Sequence, residues 1–253
     1  MDNSPVGEQF VPSELFDEDY EYFYADRLRP ERSELEAARI LQLVGLGPGD
    51  GVLDLPCGDG RIAVFLVQAG CWVVGVDQNE DLIIRAKERE VAGARFEIGD
   101  MRAPRWQSQF ECVVNWFGSF GYFDTDTNRR VLHGFSQALR PGGRVIIDQV
   151  NPAQVRQDVD RGRGAALQMI ERGLDLMLDR VRVLDGRART ERFLVRNGRV
   201  RKMEFSLELI DDDLLANWLH EAGFEGIRFL DQAGEPYTAG SRRRITVAQR
   251  AGG

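Results

Sequence analysis

Val52-Leu-Asp-Leu-Pro-Cys-Gly-Asp-Gly-Arg61 is the stretch that decides the fold. It reads as a short buried strand, a glycine-rich turn and the first residue of a helix. A second apolar run, Cys71-Trp-Val-Val-Gly-Val76, follows that helix and ends on the acid Asp77. A strand, a glycine turn, a helix and a strand ending on a carboxylate make the unit that binds nucleotide-containing ligands at the carboxyl edge of a parallel sheet. A dinucleotide fold would carry G-x-G-x-x-G directly after the first strand. Here Asp54 stands at the strand end, ahead of Gly58 and Gly60. A pyrophosphate placed there would meet a carboxylate and be repelled. The turn suits a ligand with a cationic or hydrogen-bond-donating part.

Outward from this unit, short apolar runs alternate with amphipathic ones. Strands are expected at 52–55, 72–76, 95–98, 112–116 and 144–150, and helices over 61–69, 79–90 and 125–139. Gly70 and Pro141-Gly142-Gly143 read as helix stops. Such alternation implies an α/β fold, a mostly parallel sheet with helices on both faces and right-handed crossovers. Upstream, the apolar spacing predicts a helix over 31–44, and the first dozen residues, with Pro5 and Pro12, are expected to be loose. After Asn151 the texture changes. Residues 152–170 read as an arginine-rich helix or loop, and 174–184, 188–196 and 199–209 as three antiparallel strands. Asp185-Gly186 and Asn197-Gly198 join those strands, because primed hairpin turns need positive φ. Asp211-Asp-Asp213 caps a last helix that stops at Gly223, and 224–230 and 244–249 read as final strands. The chain thus divides into an N-terminal lid or helical segment (1–44), a ligand-binding core (45–150), an antiparallel roof insert (151–210) and a C-terminal return to the core sheet (211–253).

A chain of 253 residues suffices for one domain with an elaboration. Its net charge of -8 argues against a partner made of phosphates, whose binding rests on basic contacts. Three cysteines and two histidines without metal-ligand spacing argue against a zinc centre. With no signal peptide and no long apolar run, a cytoplasmic protein with no membrane partner is expected.

With these residues in view, the sequence resembles the class I S-adenosylmethionine-dependent methyltransferases. The matching residues are Asp54-Leu-Pro-Cys-Gly-Asp-Gly-Arg61, Asp77, Gly99-Asp100-Met101, Phe110-Glu-Cys-Val-Val-Asn115 and Leu139-Arg-Pro-Gly-Gly-Arg-Val-Ile-Ile-Asp148. The resemblance covers residues 35–150 strongly and the C-terminus weakly. The resemblance implies a Rossmann-like, seven-stranded mostly parallel sheet whose last strand runs antiparallel, with the β insert between the fifth strand and the last helix. It also implies S-adenosyl-L-methionine as cofactor and S-adenosyl-L-homocysteine as product. In that family Asp77 would take the ribose diol, Asp100 the adenine amino group and Met101 the adenine face. Asp54, or a carbonyl near Asn115, would take the methionyl ammonium, and Arg61 or the helix start its carboxylate. Gly58 and Gly60 would let the backbone come close. Pro56, Cys57, Gln78, Trp116 and Phe117 complete the expected cofactor site, with Cys57 a small residue in a tight turn and not a nucleophile.

The run Asn115-Trp-Phe-Gly-Ser-Phe-Gly-Tyr-Phe123 lacks the N/D-P-P-Y/F signature of methyltransferases that act on bases or protein amides. It looks like the small-molecule branch, with acceptors such as natural products and amino sugars methylated on nitrogen or oxygen. The tyrosines at 20, 22 and 24 look like the lid of that branch, and Tyr24 is the expected contact. Tyr122 and His133 are the other candidate catalytic groups, while His220 and Asp148 are further possible bases. The expected partner is a small-molecule acceptor, not a nucleic acid, and the expected state is a monomer or homodimer. A peptide or protein terminus as acceptor, a non-methylating use of the cofactor and a nicotinamide-dependent dehydrogenase are the alternatives.

Overall fold

The computed structural model describes residues 13–252, so the expectation for the first dozen residues lies outside it. A 3-10 turn (Ser13–Phe16) leads into α1 (Glu18–Tyr24) and α2 (Pro30–Val44). Then come β1 (Gly51–Asp54), α3 (Arg61–Gln68), β2 (Trp72–Asp77), α4 (Glu80–Glu88), β3 (Ala94–Ile98), β4 (Phe110–Asn115), α5 (Thr125–Ala138) and β5 (Leu139–Val150). The insert holds α6 (Pro152–Arg161), β6 (Ala166–Arg172), β7 (Asp175–Leu184), β8 (Arg187–Arg196) and β9 (Arg199–Glu208). The chain closes with α7 (Asp212–Glu221), β10 (Phe224–Leu230) and β11 (Arg243–Arg250).

The main sheet has seven strands in the order β10-β11-β5-β4-β1-β2-β3. β11 runs antiparallel to both neighbours, while β3, β2, β1, β4 and β5 pair in parallel. Parallel strands covered on both faces read as apolar runs, and all four residues of β1 are buried. One apolar cluster packs α5 and α7 on one face, around Phe110, Phe135 and Leu219. A second packs α2, α3 and α4 on the other, around Ile40, Leu66 and Ile83. Each such side chain contributes roughly 1.5–3 kcal/mol through burial. Helix starts follow their caps: Asn79 accepts from Asp81 and Leu82 N–H, and Asp124 from Thr127 N–H.

Two details depart from the sequence reading. The insert sheet has four strands, not three, in the order β6-β7-β8-β9. β6 occupies part of the stretch read as helix or loop, joined to β7 across Gly173-Leu174. That dipeptide is no strong hairpin signal, and the strand's pairing partner is what orders it. The second departure is at Pro141-Gly142-Gly143, which lies inside β5 instead of ending a helix there. Leu139 already pairs with Phe110, and the register shifts between Phe110 and Cys112. Both hairpin dipeptides behave as read, with φ of 51° and 72° at Asp185 and Gly186 and again at Asn197 and Gly198. Among the described residues no helix is long and apolar enough to cross a membrane.

Candidate functional site

One cavity opens along the carboxyl ends of β1, β2, β3 and β4, with α1 beside it. Asp54 and Asp77 end their strands, and Asp100 follows β3; all three line the cavity. The turn after β1 contributes Pro56, Cys57, Gly58 and Arg61. Gln78 follows Asp77, and Met101, Trp116, Phe117 and Tyr122 complete the expected residues found on the wall.

The turn is built by glycine. Gly58 (φ +57°) and Gly60 (φ +76°) both lie in the left-handed region. A Cβ on Gly60 would stand 2.7 Å from the Phe96 ring, whereas over Gly58 there is open space. Gly60 is therefore required by packing and lies behind the wall, while Gly58 leaves room for a ligand. Asp77 ties the two loops together, accepting from Gly58 N–H (2.9 Å) and Asn79 N–H (2.9 Å). Burial raises its carboxyl above the ordinary range even though these bonds oppose the shift. Asp54 is 2% exposed. Burial pushes its carboxyl up to about 8; Arg61 opposes this, and Asp77 and Asp59 add to it. A buried acid whose side chain has no hydrogen-bonded partner among the described residues suits a cationic ligand group. Burial, with Asp54 and Asp77 nearby, likewise raises the Cys57 thiol well above its ordinary value, so it stays a neutral packing group.

Several side chains have partners that the sequence could not disclose. Arg61 donates to Ser33 Oγ (3.1 Å), pairs with Glu36 (2.7 Å) and lies over the Phe117 ring (4.8 Å). Its charge is thus matched within the chain. Trp116 Nε1 donates to the same Glu36 (3.1 Å). Asp100 is clamped by Arg102 through its backbone N–H (2.8 Å) and Nε (2.7 Å). Phe117, an aromatic residue at φ +65°, is held by the Asp148 carboxylate, which accepts its N–H at 3.0 Å. Arg243 in turn grips Asp148 through Nε (2.7 Å) and Nη2 (2.6 Å). Strained backbone of this kind is sustained only by such surrounding contacts.

Four expected residues lie off the cavity wall. Gly60 is one. Asn115 is fully buried, with Nδ2 on the Leu55 carbonyl (2.8 Å) and Oδ1 without a partner among the described residues. Tyr24 stacks behind Tyr20, with centroids 4.8 Å apart, and its hydroxyl accepts from Arg192 (3.1 Å). His133 is exposed on α5, whose buried face packs on the sheet. A helix period alone did not say which face carried it. His220 sits on α7 against the Phe224 carbonyl (3.1 Å). Phe16, Tyr20, Glu21, Leu28 and Ser119 line the wall in addition. Tyr20 and Tyr24 are one helical turn apart, so only the packing of α1 separates their roles.

The site fits S-adenosylmethionine on these observations. A buried, unpartnered carboxylate at Asp54 answers an ammonium, and the Asp77 carboxylate keeps lone pairs for a diol. The open space at Gly58 accepts close approach of a ligand.

A family profile for a methyltransferase domain matches residues 52–143. The cypemycin N-terminal methyltransferase of Streptomyces sp is 29% identical over 215 residues, 80% of this chain and 85% of the relative. An S-adenosylmethionine-dependent methyltransferase from Clostridium acetobutylicum has the same fold at a TM-score of 0.77 and 16% identity, covering 92% of this chain and 96% of that one. So does CalS10, an S-adenosylmethionine-bound amino pentose methyltransferase from Micromonospora echinaspora, at a TM-score of 0.67 and 18% identity over 93% and 98% of the two chains. Strand order, the acid-bearing glycine turn and these likenesses agree: residues 52–143 carry a methyltransferase domain, and the chain has the fold of S-adenosylmethionine-dependent methyltransferases.

Proposed function

We propose that this enzyme methylates a nitrogen or an oxygen of a small molecule, with nitrogen the better fit. The carrying observation is the end of the cavity where Phe16, Tyr20, Phe117, Ser119 and Tyr122 form the wall: no histidine lines it among the described residues, and the wall carboxylate Glu21 is paired with Arg85. Asp148 is gripped by Arg243, and burial pushes the Tyr122 phenol up to about 12. A hydroxyl acceptor needs a base, whereas a neutral amine needs only alignment. When bound, the cofactor would supply an electrophilic methyl carbon on a sulfonium, with the neutral thioether as the leaving group of an in-line attack.

The chain's own residues hold the two reactants and keep water out. Asp54 would hold the methionyl ammonium and Asp77 the ribose diol. Met101 would pack on the adenine, and Asp100 would offer its remaining lone pair to the amino group. Pro56, Gly58, Gln78, Trp116 and Phe117 would shape the pocket. The names of CalS10, an amino pentose methyltransferase, and of the cypemycin N-terminal methyltransferase both point to an amino group, which supports the nitrogen reading. The acidic net charge of -8 supports an acceptor other than nucleic acid. Three unpaired cysteines support a cytoplasmic location.

Mass spectrometry of small molecules released from the denatured protein tests the reading. S-adenosylmethionine or S-adenosylhomocysteine with a co-purified amine is the expected result. A methylated peptide or nucleic acid recovered in its place would overturn it.

A further inference from the structure

Six groups close a ring of contacts at the acceptor end. Phe16 meets Tyr20 edge-on at 5.3 Å, and Tyr20 lies 4.8 Å from Tyr24. The Arg192 guanidinium bridges Tyr24 (5.7 Å) and Phe205 (5.2 Å). Phe205 reaches Tyr122 at 6.4 Å, and Tyr122 returns to Phe16 at 6.5 Å. Phe16, Tyr20 and Tyr122 are the members that line the cavity. The Tyr24 hydroxyl has its partner in Arg192. The Tyr20 and Tyr122 hydroxyls have no hydrogen-bond partner among the described residues, and burial raises both phenols, so they remain neutral donors and acceptors.

Charge at this end is balanced before any ligand arrives. The cations acting on the two phenols are Arg61, Arg192 and Arg243. Each is matched by a carboxylate: Arg61 by Glu36 at 2.7 Å, Arg192 by Asp179 at 2.7 Å, Arg243 by Asp148 at 2.6 Å. An anionic acceptor would find no cation to spare. An ammonium is normally welcomed by bare aromatic faces. Here Arg61 already lies over Phe117 (4.8 Å), and Arg192 over Tyr24 and Phe205, so a second cation would meet like charge.

Resting on the small-molecule reading above, we propose that the acceptor is an uncharged, ring-bearing molecule held against this belt and hydrogen-bonded by the Tyr20 and Tyr122 hydroxyls. Asp179 and Arg192 position Tyr20 from behind, through Tyr24. An acceptor amine enters as the free base, which is also the form whose lone pair can attack.

The test uses the full chain loaded with S-adenosylhomocysteine, and ligand-observed NMR at pH 7 with three probes of one size: benzyl alcohol, benzylammonium and benzoate. Benzyl alcohol is expected to bind and the two ions to bind at least several-fold more weakly. A Tyr20→Phe, Tyr122→Phe double variant, checked for its melting temperature, is expected to weaken benzyl alcohol by about five- to tenfold, the worth of one to two hydrogen bonds. Either ion binding as well as the alcohol, an unmoved double variant, or no probe binding at millimolar concentration would overturn the proposal. The co-purified product reports separately on the small-molecule reading. A methylated peptide there, with the probe order as expected, would remove that reading and leave the site's charge preference in place.

Discussion

Asp54 concentrates the residue-scale physics of the site. Burial pushes its carboxyl up to about 8. A cationic ligand group needs it ionised, so cofactor binding at pH 7 should release a proton. Calorimetry in buffers of different ionisation enthalpy will show this release, and affinity should rise with pH toward 8. Asp54→Asn should abolish the release and weaken binding by ~2 kcal/mol, roughly 30-fold. The sign for stability is the reverse. An acid whose folded pKa is raised contributes stability at low pH that is lost as pH rises through its folded value. In the absence of cofactor, Asp54→Asn should therefore melt higher than the wild type at pH 8, with the difference vanishing near pH 4. Gly60 gives a second residue-scale prediction. Its positive φ leaves no room for alanine, whose methyl would stand 2.7 Å from the Phe96 ring. Gly60→Ala should cost about 1–3 kcal/mol in denaturant unfolding.

At the scale of elements, the insert sheet holds two outlying parts of the site by arginine. Arg187 in β8 donates to the Tyr122 carbonyl (2.9 Å), the Phe123 carbonyl (2.8 Å) and Ser206 Oγ (3.0 Å). It thereby fixes the loop that carries Tyr122. Arg187→Met should lower stability by ~2 kcal/mol and raise the acceptor KM more than it lowers kcat. Arg196 and Arg201 bind Asp19 at 2.7 and 2.5 Å, which seats α1 on the same sheet. These pairs are partly exposed, so Asp19→Asn should cost only ~0.5 kcal/mol and show as faster hydrogen exchange across α1. The elements of the core were legible because period and punctuation agree there: apolar runs, amphipathic spacing and glycine stops. β6 was not, because Leu167 and Met169 face outward on an edge strand and carry no alternation toward a core. The start of β5 was missed for a related reason. Pro141-Gly142-Gly143 looks like a helix end, and only pairing with Phe110 shows that the strand had already begun.

At the scale of the whole molecule, the parallel sheet sets the cavity at its carboxyl edge, and the insert sheet packs against Tyr24 and Tyr122 through Arg192 and Phe205. A ligand seated there binds the folded state alone. S-adenosylhomocysteine at a hundred times its dissociation constant should stabilise by about 2.7 kcal/mol, roughly 5–10 °C in melting temperature for a chain of this size. Differential scanning calorimetry will show the shift, and an unmoved transition would contradict the cofactor assignment. The sequence by itself determined the sheet and the cofactor edge. Their signals are local: a buried strand, a turn that only glycine can make, and an acid at the strand end, all within a few residues. What surrounds the proposed acceptor end of the cavity was decided by tertiary structure. Tyr20 and Tyr24 share one face of one helix, and Arg61, Arg192 and Arg243 find Glu36, Asp179 and Asp148 at separations of 25, 13 and 95 residues. Which tyrosine meets the cavity, and which charges are already spent, depends on where the insert sheet docks, and no local pattern encodes that distance.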